Sequence, residues 1–271
     1  MSLRTRRVYT PQQAVTEHIL AVADRAGYGA ALIDAAAVGP DGASVVTWPQ
    51  FVHMVRTAAD GLSRRGLHEA DTAAIFVQDA VSHVLAVHAV RAAGANAAPV
   101  RPAPTATDIA AQLKQSRARL LITSAALAEV AIQAAERSWV RQVFAFGEAE
   151  GTTPFGSLLH TARHGQLQAN GHHHDFAAAP QALDPGELGF LLDSPILPLT
   201  SRDVVVAAPP CGDPDIYTAL LDLALAAGAA VVAAPLAQVA AAVEAYKGTA
   251  AIVPRGTDLA ALPAERIFAA G

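Results

Sequence analysis

Strand-like and helix-like segments alternate along the first half of this 271-residue chain. The apolar runs that predict strands lie at residues 31–33, 45–46, 72–77, 97–100, 119–123 and 142–146. Helical periods occupy the segments between most of them, at 47–62, 80–93, 105–115 and 125–137. Because strands separated by helices form βαβ units, this order predicts an α/β fold with mainly parallel sheets and right-handed crossovers.

The helix that follows residue 46 has clear start and stop signals. Thr47 and Gln50 have the spacing of a capping box, in which each side chain bonds to the backbone N–H of the other residue. Pro49 falls in the first turn, where its missing N–H removes no helical hydrogen bond. Gly66 supplies the stop, because glycine readily adopts the left-handed conformation that ends many helices.

A change in composition divides the chain. Residues 148–186 interrupt the alternation with sequence rich in glycine, proline and histidine, and we interpret them as a linker with a short helix near 157–164. Alternation then resumes with strands at 187–192, 203–208, 230–234 and 250–253 and helices at 214–227 and 237–246. The expected domains are a first α/β subdomain (1–147), the linker (148–186) and a second, incomplete α/β subdomain (187–271).

Charge and cysteine content exclude several classes of protein. The net charge is −5, which argues against nucleic-acid binding, and the single cysteine excludes internal disulfides and cysteine-based zinc sites. The longest uncharged apolar run, 223–234, is shorter than the ~20 residues of a membrane-spanning helix, and no secretory signal is readable. We therefore expect a cytoplasmic protein without membrane or nucleic-acid partners. The 64 alanines and the excess of arginine over lysine favour a bacterial source.

Several short segments match one enzyme family in the same order. They are residues 46–51 (VTWPQF), 59–62 (ADGL), 65–67 (RGL), 89–95 (AVRAAGA), 109–122 (IAAQLKQSRARLLI), 203–205 (DVV), 209–210 (PP) and 223–229 (LALAAGA). Together they resemble the N-terminal part of the adenylate-forming enzymes, which include acyl-CoA synthetases, coumarate-CoA-ligase-like proteins and peptide-synthetase adenylation domains. The resemblance covers nearly the whole chain.

The segments that carry chemistry in that family are replaced here. The family's phosphate loop is rich in Ser, Thr and Gly and ends in Lys-Gly, whereas residues 195–198 read PILP. Proline lacks a backbone donor, so this segment is not expected to hold ATP phosphates. Residues 210–213 (PCGD) replace an aromatic-His element, and the family's later motifs have no counterpart after residue 254. The resemblance thus implies a truncated, degenerate member with no cofactor and no transferable catalytic residue.

Histidines offer one candidate metal site. His160 and His164 stand four residues apart, which places both on one face of a helix, and His172, His173 and His174 follow in a nearby loop. The alternative is a solvated, histidine-rich loop without metal, and we favour it. His83 and His88 are five apart within one predicted helix, which favours core or surface histidines over ligands.

Cys211 is a candidate nucleophile, because it precedes a helix whose N-terminal amides could lower the pKa of its thiol. A small buried cysteine without chemistry is the alternative that we favour.

Three functions therefore remain open. The first is a noncatalytic scaffold that binds a partner protein or a small acyl or aryl ligand. The second is an adenylating enzyme, or acyl-CoA ligase, that another chain completes. The third is a new activity that uses Cys211 or the histidines. Because the second half is apolar and poor in charge, we expect a homodimer or a complex with a partner protein, with an interface after about residue 187 and with Leu225 and Val239 as test positions.

Overall fold

The structure, a computed structural model, describes residues 11–39, 42–159, 199–210 and 212–270. Within these ranges the helices are α1 (Pro11–Ala26), α2 (Trp48–Arg64), α3 (Ala80–Ala92), α4 (Ala106–Gln115), α5 (Ala128–Glu136), α6 (Pro214–Ala226) and α7 (Val239–Tyr246). The strands are β1 (Ala30–Gly39), β2 (Gly42–Thr47), β3 (Thr72–Phe76), β4 (Asn96–Pro99), β5 (Leu120–Ser124), β6 (Gln142–Phe146), β7 (Thr153–Pro154), β8 (Val204–Ala207), β9 (Ala230–Ala233), β10 (Ala250–Pro254) and β11 (Arg266–Ala270).

The strands form two sheets. One has the order β4-β3-β5-β6-β7 and the other β11-β10-β8-β9-β1-β2. All neighbours are parallel except β1 and β2, which pair antiparallel. The α/β fold with mainly parallel sheets is therefore confirmed.

Helix α3 lies between the two sheets. Its Val84 and Leu85 join the core against the six-stranded sheet, whereas Val87 and Val90 join the core against the five-stranded sheet. Both sides of the helix are buried, which explains why its sequence is apolar nearly all round. On the outer faces, α4 and α5 cover the five-stranded sheet and α7 covers the six-stranded one.

The local signals around α2 are confirmed. Thr47 donates its backbone N–H to Oε1 of Gln50 at 2.8 Å, as the capping box requires. Gly66 has a φ of 86°, and this left-handed conformation ends the helix. No helix in the described ranges is both long and apolar enough to cross a membrane.

Sheet membership differs from the expected division at residues 147 and 187. Strands β1 and β2 come from the first subdomain but complete the six-stranded sheet of the second, where Leu32 pairs with Val231. Strand periodicity shows which face of a strand is buried but not which strand lies beside it. The two halves of the chain therefore share one sheet.

Other boundaries also differ. The short helix expected near 157–164 begins instead as a 3-10 turn at Phe155–Leu158. Residues 160–164 lie outside the described ranges, as does the strand expected at 187–192. Helix α1 and strand β11 were not predicted. Asp203 holds β11 in place, because its carboxylate bonds to Arg266 of β11 and to the hydroxyl of Thr249 before β10.

Candidate functional site

A cavity of about 320 Å³ opens at the carboxyl ends of β8 and β9, beside Asp34 and Ala36 in the middle of β1. We call it the switch-point cavity. Most of its lining is small and apolar, with three polar residues, and consists of Asp34, Ala36, Gln78, Asp79, Ala80, Ala207, Pro209, Ala233, Ala234 and Pro235.

The register of the strands shows which residues form the base of the cavity. Asp34 of β1 pairs with Ala233 of β9, which pairs with Ala207 of β8, so the three residues form one row across the sheet. Side chains alternate between the faces of a strand, and Leu32, two residues before Asp34, is buried in the core beneath the same face. The cavity therefore lies on the same face of the sheet as Leu32, at the carboxyl edge of that face.

The order of the strands explains why an opening lies here. The crossover from β8 passes through α6 on one face of the sheet, where Leu221 is buried, and leads to β9. The crossover from β9 passes through α7 on the opposite face, where Val243 is buried, and returns to β10 on the far side of β8. Adjacent strands whose helices leave on opposite faces form a topological switch point, the usual position of ligand sites in open α/β sheets.

The turn between β3 and α3 supplies a wall of the cavity. Gln78 donates its backbone N–H to Oγ of Ser124 at 3.0 Å, which ties this turn to the end of β5. Asp79 is the N-cap of α3, and its Oδ1 accepts from the backbone N–H of Ser82 at 2.7 Å. The carboxylate is thus held at the start of a buried helix.

Asp34 supplies the second carboxylate of the cavity. Its Oδ1 accepts from the backbone N–H of Ala36 at 3.0 Å, and its side chain is half-buried. No lysine, arginine or histidine lines the cavity within the described part of the chain. The carboxylates of Asp34 and Asp79 would repel a triphosphate, so these residues do not fit the phosphates of ATP.

A separate polar cluster is buried between α1, α3 and α6. His83 Nε2 lies 2.8 Å from Oγ1 of Thr218, and the same hydroxyl donates to the carbonyl oxygen of Pro214 at 2.7 Å. Because a hydroxyl has one hydrogen to donate, His83 donates from Nε2, which fixes its tautomer. Burial lowers the pKa of His83 to about 3, so the imidazole is neutral at pH 7.

The other half of this cluster contains an ion pair. Arg91 donates from Nη1 to Oδ2 of Asp222 at 2.7 Å, while Nε2 of His88 lies 3.4 Å from Oδ1. The Nδ1 atom of His88 is 2.9 Å from the Thr16 hydroxyl. Burial raises the pKa of Asp222, against the attraction of Arg91, and burial together with Arg91 lowers the pKa of His88. None of these residues lines the cavity, and we assign the cluster to packing of the three helices.

The residues that the sequence suggests for catalysis or metal binding lie outside the described ranges. These residues are Cys211, His160, His164, His172, His173 and His174. Among the residues that are described, no three His, Cys, Asp or Glu side chains are placed to hold a metal ion. Of the core and surface positions that the sequence leaves open for His83 and His88, the structure shows the core, since both are buried.

Sequence reasoning missed the polar residues of the cavity. Asp34 directly follows the apolar run 31–33, and Gln78 and Asp79 directly follow the run 72–77. Polar residues immediately after buried strands lie at the carboxyl edge of a parallel sheet, so this position was the available signal.

Residues 23–181, more than half of the chain, match the AMP-binding enzyme family. The chain therefore belongs to this family, and its two-sheet fold is that of the N-terminal region of these enzymes. Among curated proteins, no sequence matches the chain at a significant level.

Solved structures of CoA ligases and related enzymes share the fold. A long-chain-fatty-acid-CoA ligase from Archaeoglobus fulgidus has a TM-score of 0.69 at 19% identity, covering 93% of this chain and 54% of its own. A benzoate CoA ligase from Burkholderia xenovorans has 0.64 at 20%, with 88% and 49% covered. An amide bond synthetase from Marinactinospora thermotolerans has 0.64 at 18%, with 95% and 53% covered. The chain thus spans about half the length of these structures.

Proposed function

We propose that this chain is a noncatalytic member of the AMP-binding family that binds a small, mainly apolar ligand in the switch-point cavity. The composition of the cavity carries the proposal, because seven of the ten lining residues that the structure describes are alanine or proline. Ligand pockets typically combine an apolar lining with a few fixed polar groups, and about 320 Å³ is near the lower end of their volumes. A short acyl or aryl group fits these limits.

Two features support the absence of adenylation. Residues 195–198, which lie outside the described ranges, read PILP where the family has its phosphate loop, and two of these four residues lack a backbone N–H. Among the described residues the cavity is lined by two carboxylates and no cation, so these residues would repel a triphosphate. Both features oppose the binding of ATP.

The first experiment tests the noncatalytic part. Millimolar Mg-ATP should leave the melting temperature unchanged, and a panel of carboxylic acids should give no pyrophosphate, with or without the products of neighbouring genes. Because any ligand of the native state stabilises it by mass action, a clear melting shift with Mg-ATP overturns this part. Pyrophosphate release only in the presence of a second gene product would instead establish an enzyme completed by another chain.

The second experiment tests the ligand site. Benzylamine and benzyl alcohol serve as aryl probes, with binding measured by calorimetry. Ala36→Leu should fill the exposed side of the cavity and weaken binding of the probes at least tenfold. Ala269→Leu is the matched control, since Ala269 is also an exposed strand alanine of the same sheet but does not line the cavity. Failure of both probes to bind, or equal binding by the two variants, contradicts the ligand site.

A further inference from the structure

We propose that the switch-point cavity selects a small organic cation, namely a primary amine attached to a short apolar or aryl group. The inference rests on the proposed function and narrows it, because it names the chemical class of the ligand. Its basis is a pair of carboxylates that lie beside an apolar surface and have no cationic partner within the described ranges.

The two cavity carboxylates differ from the other shielded aspartates. Among the described residues, six aspartates are buried or half-buried, and four of them pair with arginine: Asp71 with Arg119, Asp203 with Arg266, Asp213 with Arg101 and Asp222 with Arg91. Asp34 and Asp79 are the remaining two, and neither has an arginine, lysine or histidine within ion-pair distance in the described ranges. Four of these six aspartates thus have an arginine partner, three of them well shielded, and the two without one in the described ranges face the cavity.

Both carboxylates keep acceptor capacity for a ligand. In each, a local backbone N–H bonds to Oδ1: that of Ala36 for Asp34 and that of Ser82 for Asp79. A carboxylate offers about four lone-pair sites, so Oδ2 can accept from an ammonium group. These local bonds also hold the carboxylates in position before a ligand arrives.

The N-terminus of α3 does not make the net charge of the cavity lining positive. A helix N-terminus carries only about half a positive charge. Asp79 itself caps that terminus, and Asp34 adds a second full negative charge. The cavity therefore favours a cation and disfavours a carboxylate.

The remaining surface determines the rest of the ligand. Ala207, Ala233 and Ala234 are at most 4% exposed and present only methyl groups and backbone to the cavity. Polar groups on the ligand would find few partners there, and their desolvation would not be compensated. A bound amine would thus direct its ammonium group to the aspartates and its apolar group to these alanines.

Three probes of similar size test the charge. At pH 7 benzylamine is cationic, benzyl alcohol neutral and benzoate anionic, and calorimetry should rank their affinities in that order. Because hydrogen bonds to charged groups are the stronger ones, Asp34→Asn and Asp79→Asn should each weaken benzylamine about tenfold and leave benzyl alcohol unchanged. Asparagine caps helices as well as aspartate does, so Asp79→Asn should fold normally. Asp60→Asn, at an exposed position of α2, is the matched control and should change neither probe.

The outcomes separate the two proposals. Equal affinity for benzylamine and benzyl alcohol, or tighter binding of benzoate, overturns cation selectivity and leaves the ligand site intact. Unchanged benzylamine affinity in both cavity variants also overturns it. If none of the three probes binds, the ligand site falls as well. Weaker benzylamine binding at higher ionic strength, with benzyl alcohol unaffected, would support the charge assignment independently.

Discussion

Arg91 of α3 and Asp222 of α6 form an ion pair that is almost completely shielded from water. The Nη1 atom of Arg91 lies 2.7 Å from Oδ2 of Asp222, and their side chains are 7% and 8% exposed. Removing one member leaves the other charge buried without its partner. The resulting loss of folding free energy is typically larger than the net contribution of the pair. Where α3 packs against α6, each of these two buried side chains therefore depends on the other.

The first prediction compares the same substitution in two ion pairs. Arg91→Met should lower the free energy of unfolding by about 3–5 kcal/mol, because it strands the buried carboxylate of Asp222. Arg101→Met should lower it by less than about 1 kcal/mol, because Arg101 is 63% exposed and its pair with Asp213 is solvated. Urea unfolding measures both. Equal losses in the two variants would show that burial does not determine the strength of the pair.

The second prediction concerns pH and His83. The folded-state pKa of about 3 lies below the usual 6.5, so the neutral form stabilises the fold fully above pH 6.5. This contribution falls by up to about 1.4 kcal/mol per unit as the pH drops below 6.5 toward 3. His83→Gln keeps a donor for Thr218 without the titration, so its stability should depend less on pH between 7 and 5. Thermal unfolding curves that shift with pH by the same amount in both proteins would contradict this.

The third prediction concerns a close helix contact. A Cβ at Gly61 of α2 would lie 2.8 Å from the carbonyl oxygen of Leu158, so Gly61→Ala must displace backbone. Overpacking of this kind should cost about 1–3 kcal/mol, more than alanine gains in helix propensity. Gly156→Ala, in the same turn as Leu158, is the control, since its Cβ would meet nothing within 4 Å. Denaturant unfolding should show a loss only for Gly61→Ala.

Local elements were predictable because their signals are contained in neighbouring residues. The bounds of α2 were predicted by the capping box of Thr47 and Gln50 and by the stop at Gly66. Apolar runs predicted β5 and β6. The pairing of β1 with β9 was not predictable, since it joins residues about 200 apart along the chain and no local pattern encodes it. Motif order supplied the family, which the match over residues 23–181 confirms.

The cavity escaped prediction for the same reason. Asp34 lies within β1, Asp79 at the start of α3 and Ala207 at the end of β8, and only the tertiary fold brings them to one opening. The buried position of Asp222 was also missed, because a single aspartate in an apolar helix indicates either an exposed face or a buried partner. Its partner, Arg91, is 131 residues away.

The fourth prediction concerns metal. If His160, His164 and the cluster at His172–His174 are solvated, treatment with a chelator should leave the melting temperature unchanged. Elemental analysis of purified protein should then find no stoichiometric zinc. Substitution of His160 and His164 by Gln should be equally neutral. Stoichiometric zinc that is lost in the double variant would establish the metal site instead.

The fifth prediction concerns assembly, and the structure changes where it is tested. Leu225 and Val239, the interface positions that the sequence suggests, are 0% and 1% exposed, so Asp there would disrupt the core of one chain. Ile216, Leu236 and Leu259 are instead 38%, 47% and 46% exposed in the same half of the chain.

We propose that these exposed residues lie in a homodimer interface, with two-fold symmetry as the common arrangement. Strand β11 pairs only with β10 among the described strands, which leaves an edge for a second chain. Light scattering should then report about twice 27.8 kDa. Leu236→Asp and Leu259→Asp should restore the monomer mass, because a buried, unpaired carboxylate opposes association. Trp139→Asp is the control, since Trp139 is exposed but lies in the first half of the chain, and it should leave the mass unchanged. A wild-type mass of 27.8 kDa at high micromolar concentration would remove the proposal.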